Sequence, residues 1–221
     1  MSGRAVIISG GALEEGFILR YLEKHPYEKL IAAEGGAAFC LRNGLVMDLA
    51  VGDFDTAGEA LAGELERRGI SVERYPSRKD DPDTAIALHA AFSFEPSEVM
   101  IFGAMGTRQD HFIANLAMIG GAALDPETAD IPVILIDAHN RISAHAKSFR
   151  VPGECAEYPY ISFFAFSEKV TGLSLKGFSY PTEDYTLYKE DVIGTSNYLT
   201  EGNASVGIGE GVLIMACAGD A

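Results

Sequence analysis

Two carboxylates stand two residues apart in GDFDT (Gly52 to Thr56), directly after an apolar run, Leu45 to Val51, that reads as a buried strand. At about 4 Å and an effective dielectric of about 20, Asp53 and Asp55 would repel by roughly 4 kcal/mol, so a cation or a raised pKa has to offset them. The structural alternative is an Asp-rich turn capping its own backbone N–H groups. A second group, Lys79, Asp80 and Asp83, lies in KDDPDTAIAL. There Asp81 reads as an N-cap with Pro82 at the first helical position, and Asp83 falls in the first turn near the positive helix end. A third group, Arg108 and Asp110, lies in GAMGTRQDHFIAN, where Asn115 follows His111 by one helical turn. Asp110 as a helix cap and His111 as a solvated residue are the structural alternatives. Carboxylates around a hard divalent ion, with Arg or Lys nearby, are what phosphoryl transfer from a nucleotide requires. Neither GxxxxGK[ST] nor GxGxxG occurs, which excludes a P-loop enzyme and a protein kinase.

The elements that position these groups alternate. Apolar runs at 5–9, 30–33, 45–51, 70–75, 98–103 and 132–137 read as strands, and helical periodicity fills the intervals. Leu13, Phe17, Ile18, Tyr21 and Leu22 mark the first helix, Leu61 and Leu65 a later one, and Ile113, Leu116, Ala117 and Gly120 the last. The rhythm predicts an α/β domain over 1–138, a Rossmann-like, doubly wound parallel sheet with helices on both faces. The strand at 132–137 is expected to be its last parallel member. After Ala138 the helical period vanishes. Short β-rich runs at 141–149, 160–166, 173–180, 185–188, 205–208 and 212–217 predict an antiparallel β-sandwich over 139–221. Gly209-Glu210-Gly211 reads as a hairpin turn between the last two runs. Gly194-Thr195-Ser196-Asn197 is a polar loop, either a plain turn or a presentation of hydroxyl and amide groups to a ligand.

Composition narrows the classes. In 221 residues, 17 Lys plus Arg face 32 Asp plus Glu, a formal charge of −15 that argues against nucleic acid or an anionic membrane as partner. Cys40, Cys155 and Cys217 are far apart and form no CxxC pair, so they read as buried thiols in a reducing compartment. The opening MSGRAVIISGG has too short an apolar run for a signal peptide, and no stretch reaches the length of a membrane span. The expected location is the cytoplasm.

Taken together, VGDFDT (51–56), KDDPDTAIAL (79–88), GAMGTRQDHFIAN (103–115) and, more weakly, GTSN (194–197) resemble the thiamine pyrophosphokinase family in order and spacing. The resemblance implies an N-terminal α/β domain, a C-terminal β-sandwich and a homodimer with active sites between subunits. It implies Mg²⁺-dependent transfer of the terminal diphosphate of ATP to the hydroxyl of thiamine, with release of AMP. By motif position, Asp55 and Asp83 are implied metal ligands, with Asp53 and Asp80 close to metal and phosphates. Gly52, Lys79 and Asp80 fall in the ATP site. Arg108 and Asp110 hold the triphosphate or orient the reacting groups, Asn115 supports them, and Ser196 and Asn197 contact thiamine. Three positions depart from the family pattern. Glu34 replaces a common Asp and keeps its charge with a longer reach, Pro82 removes a hydroxyl and an N–H beside Asp83, and Thr107 stands where a Gly is common. If that Gly has positive φ, Thr107 needs a different backbone.

Two other readings compete. A Mg²⁺-dependent phosphohydrolase with Asp53 as nucleophile, in the manner of haloacid dehalogenase-like enzymes, expects Thr two residues after the second Asp, whereas Thr56 follows Asp55 directly. A non-catalytic sensor of nucleotide or thiamine has no need of three acidic loops.

Overall fold

Four consecutive buried apolar residues, Ala5–Ile8, form β1, and every side chain in it is fully inside, as expected of a strand covered on both faces. The structure is a computed structural model and describes residues 3–55, 58–76, 82–200 and 202–220. By internal contacts the chain forms two compact units, Met1–Leu116 and Ala117–Ala221.

In the first unit β1 is followed by α1 (Glu15–Lys24), β2 (Lys29–Ala33), α2 (Glu34–Arg42), β3 (Leu49–Gly52), α3 (Glu59–Arg67), β4 (Ser71–Arg74), α4 (Asp83–Phe92) and β5 (Val99–Phe102). The next helix, α5, covers Gln109–Leu124, and the division between the units falls inside it. The strands are parallel in the order β4-β3-β2-β1-β5. Ile18, Tyr21 and Leu22 of α1 are buried at the spacing of one helix face, and α2 and α4 pack against β1, β2 and β3. Chain order runs outward from β1 to β4 on one side and places β5 on the other. The carboxyl ends of β1 and β5 therefore flank the point where the topology reverses, where open α/β sheets bind ligands.

The second unit holds β6 (Val133–Ile136), β7 (Asn140–His145), β8 (Phe149–Arg150), β9 (Tyr160–Ala165), β10 (Lys169–Lys176), β11 (Thr182–Tyr188), β12 (Ser205–Gly207) and β13 (Leu213–Ala218). Within it β6, β7, β13 and β9 pair antiparallel in that order, and β11-β10-β12-β8 form a separate antiparallel sheet. Ile161 and Phe163 of β9 and Leu213, Met215 and Cys217 of β13 meet Val170, Leu173 and Leu175 of β10, Leu187 and Val206 in one buried cluster. Each such side chain contributes about 1.5–3 kcal/mol by leaving water, which is what holds the two sheets face to face.

The α/β plus β-sandwich architecture is the one expected, with local corrections. The run 132–137 forms a strand, β6, as expected, and after the short turn at 137–139, closed by Asp137 accepting from the His139 and Asn140 amides, β7 returns antiparallel to it. The run 141–149 splits into β7 and β8, which enter different sheets. Residues 209–211 make no hairpin, since β12 and β13 also belong to different sheets. That loop instead lies over β10, where a Cβ on Gly211 (φ +100°) would come within 2.3 Å of the Lys169 carbonyl. Pro82 sits at the N-cap of α4, one position before the helix, and Asp81 lies outside the described residues. All three cysteines are buried and unbridged, and burial pushes the Cys40 thiol up to about 12.

Candidate active site

At the topological reversal lies a cavity of about 540 Å³, lined by the β1 end (Ser9, Gly10, Gly11), the α2 start (Ala33, Gly35), Asp83 and Thr84 of α4, and the loop 103–108. Backbone contacts explain its glycines. A Cβ on Gly11 would stand 2.3 Å from the Gly103 carbonyl oxygen, and one on Gly35 would stand 2.8 Å from the Gly10 Cα. Gly103 itself is left-handed (φ +70°). Thr107 is not among the left-handed residues, so the missing glycine costs no backbone strain there. Deep in the cavity the Ser9 and Thr84 hydroxyls lie 2.5 Å apart, tying the β1 end to the first turn of α4.

Next to the α2 start, Glu34, Asp53 and Asp55 converge, offering carboxylate oxygens that all lie within 4.8 Å of one another. Glu34 is the first residue of α2 and its Oε2 accepts from the Phe54 amide at 2.9 Å. Phe54, buried and left-handed at φ +42°, separates the two aspartates. A non-glycine residue held there stores strain of about 1–3 kcal/mol, which the buried ring and the Glu34 bond sustain. Gly52 and Gly58 leave the room for Glu34: a Cβ on Gly58 would fall 2.2 Å from its Oε1, and one on Gly52 2.8 Å from its Cβ. Burial, above all, and then the negative charges of Asp53 and Asp55 raise the Glu34 pKa against the lowering effect of the Phe54 amide. A divalent, oxygen-seeking cation fits this all-carboxylate set and would relieve its repulsion.

Asp83 opens α4 and lines the cavity. Arg108 grips Asp110 in a two-pronged ion pair, Nη2 to Oδ2 at 2.5 Å and Nε to Oδ1 at 3.2 Å, on an exposed rim. Arg108, with help from the His111 amide, holds the Asp110 carboxyl down at about 2. Asn115, buried, donates to the Ala104 carbonyl at 2.6 Å, so it fixes the loop that carries Arg108. Lys79 and Asp80 lie outside the described residues.

A second cavity, about 550 Å³, opens in the β-sandwich between Phe163, Leu173, Tyr180, Tyr185, Ile193 and the loop 194–197. Gly194 is obligatory, since a Cβ there would lie 2.1 Å from the Phe163 carbonyl oxygen. The Asn197 side chain is committed to backbone, accepting from the Tyr180 and Tyr198 amides and donating to the Tyr180 carbonyl. Ser196 is left-handed (φ +56°), its amide bonded to the Ser162 hydroxyl.

Comparison with known proteins decides the family. The thiamin pyrophosphokinase catalytic domain matches residues 20–128, and the thiamin pyrophosphokinase vitamin B1 binding domain matches 147–213. The thiamine pyrophosphokinase of Bacillus subtilis (strain 168) is 30% identical over 190 residues, 84% of this chain and 85% of that protein. The chain belongs to the thiamine pyrophosphokinase family. Its function is that of the family, an ATP-dependent diphosphotransferase acting on thiamine. A crystal structure of thiamine pyrophosphokinase from Bacillus subtilis superposes with a TM-score of 0.83 at 27% identity, covering 99% of this chain and 100% of that one. Thiamin pyrophosphokinase from Candida albicans shares the fold, with a TM-score of 0.77 at 16% identity over 99% of this chain and 90% of that one.

Against this thiamine pyrophosphokinase frame, the structure brings Asp53 and Asp55 together and adds Glu34, which sequence reasoning noted as a departure without placing it among the site residues. The signal was a carboxylate directly after the apolar run of β2, at the first residue of α2. Ser9 and Thr84 were missed as well, because a serine after an apolar strand carries no pattern of its own.

Proposed function

We propose that the cavity at the strand reversal holds ATP, that Glu34, Asp53 and Asp55 hold Mg²⁺, with Asp83 as a further ligand, and that the sandwich cavity holds thiamine. The single observation that carries this reading is the convergence of three carboxylates beside a glycine-lined cavity. The bound Mg²⁺ would draw charge from the phosphate oxygens and leave the β-phosphorus open to attack. Backbone amides of the β1 and β5 loops approach the phosphates closely because no Cβ intervenes at Gly10, Gly11 and Gly103. Arg108 balances charge on the triphosphate, and its pairing with Asp110 aims the guanidinium. Gly52 lets the β3 end pass close to Glu34, while Lys79 and Asp80 complete the nucleotide side and Asn115 fixes the loop beneath Arg108.

Thiamine enters the aromatic and aliphatic pocket at Tyr180, Tyr185 and Leu187, with Ser196 touching it and Asn197 holding the pocket's backbone in place. Attack by its hydroxyl forms the new bond to the β-phosphorus and releases AMP, so in-line positioning matters more than a strong base. The functional division is 1–138 for ATP and 139–221 for thiamine, and the family matches at 20–128 and 147–213 support it. Two subunits with active sites between them accord with Val192 and Ile193, each 74% exposed beside the thiamine cavity. Buried free thiols suit the cytoplasm, and no helix of the described residues is long and apolar enough to cross a membrane. Asp55→Asn tests the metal assignment: loss of Mg²⁺-dependent turnover in a folded protein is expected, and unchanged turnover removes Asp55 from the site.

A further inference from the structure

In the four-stranded sheet, β12 lies between β10 and β8, and its register sets Lys176 opposite Ser205 and Ser205 opposite Arg150. The next row is Leu175, Val206 and Phe149, which turns into the sandwich core. Because side chains alternate along a strand, Lys176, Ser205 and Arg150 stand together on the opposite, outward face. Steps of about 5 Å per strand put the two cation-bearing Cβ atoms roughly 10 Å apart with the serine midway. These residues line a hollow of about 370 Å³ completed by Ser148, Ser174 and Gly207.

The hollow has an unusual charge balance for this chain. The chain carries 32 acidic residues against 17 basic ones, so a hollow lined by two cations runs against its overall charge. Among the described residues, neither Arg150 nor Lys176 joins an ion pair, and no carboxylate lines the hollow. Ser205 makes no side-chain hydrogen bond among the described residues, while the Ser148 hydroxyl is fixed by accepting from the Ile208 amide and the Ser174 hydroxyl by accepting from the Asp184 amide. An anion seated between the two cations would be attracted by both at once.

We propose that Arg150, Lys176 and Ser205 form a binding site for a phosphate-class dianion on the outer face of the β-sandwich. The guanidinium offers a planar pair of donors to two oxygens, the ammonium a point charge to a third, and the serine hydroxyl a donor between them. The site is independent of the diphosphotransfer reading, since it uses none of the residues placed in the nucleotide or thiamine cavities.

The test is titration of the full ¹⁵N-labelled chain with inorganic phosphate, against sodium chloride at matched ionic strength, reading the amides of residues 174–176 and 205–207. Saturable shifts with phosphate and none with chloride are expected. Arg150→Gln and Lys176→Gln should each weaken that binding about tenfold, with ATP- and thiamine-dependent turnover unchanged. Repeating the titration with AMP distinguishes the source: equal shifts at 205–207 mean that a phosphoryl group on a larger molecule is accepted, and shifts with inorganic phosphate alone mean that the free ion is the ligand. Equal responses to phosphate and chloride, no response at these amides, or undiminished affinity in both variants would overturn the proposal.

Discussion

The carboxylate of Glu34 accepts a hydrogen bond from the amide of Phe54 at 2.9 Å, and that bond joins the start of α2 to the strained residue between Asp53 and Asp55. One side chain therefore both holds the GDFDT turn in shape and adds a third negative charge to it. Glu34→Gln separates the two roles, because the amide oxygen still accepts from Phe54 while the charge is lost. It should fold normally and bind Mg²⁺ roughly ten- to hundredfold more weakly, as measured by the Mg²⁺ dependence of turnover. Wild-type Mg²⁺ dependence in that variant would take Glu34 out of the metal site.

Gly58→Ala tests the space on the other side of the same carboxylate. The new Cβ would lie 2.2 Å from Glu34 Oε1 and 2.9 Å from the Phe54 Cα, a backbone atom that cannot swing away. Overpacking of this kind costs about 1–3 kcal/mol, and denaturant unfolding should show it together with weaker Mg²⁺ activation. A neutral effect on both would mean that the turn is looser than its geometry indicates.

Ser196 and Asn197 are neighbours with separable effects. Asn197→Ala leaves two Tyr180 backbone groups and the Tyr198 amide without their partner. A loss on the order of 1–3 kcal/mol in stability is expected, visible as a lower Tm. Ser196→Ala should leave Tm alone and raise the KM for thiamine without changing that for ATP. A defect confined to ATP would contradict the placement of thiamine.

Burial and, less strongly, the Arg141 charge hold the His145 pKa down from 6.5 to about 4. Between those values the unfolded chain takes up a proton that the folded one refuses, so stability is complete above about 6.5 and falls as pH drops towards 4. The total change is about 3 kcal/mol. Unfolding free energies measured from pH 7 to pH 4 should show this one-proton slope, and His145→Gln should remove it. An equal slope in the variant would assign it to other groups.

How much of this was legible beforehand depends on whether a residue's role is local. The strand ends carrying Asp53, Asp55 and Arg108 could be read because apolar runs and their following turns are adjacent in sequence. The pairing of Ser9 with Thr84 spans 75 residues and exists only once β1 and α4 are packed. The splitting of 141–149 between two sheets was equally invisible, since both halves carry the same strand pattern and only the partner strands differ. Asn197 shows the converse: a polar residue in a motif read as a ligand contact is bonded to backbone. A side chain's type suggests a ligand contact, but its neighbours decide how many hydrogen bonds it has left.

The most direct test of the central claim is AMP release from ATP with Mg²⁺, measured with and without thiamine and alongside thiamine diphosphate. Thiamine-dependent AMP with an equal amount of thiamine diphosphate is the predicted result. ATP breakdown that ignores thiamine, or AMP formed without thiamine diphosphate, would contradict it.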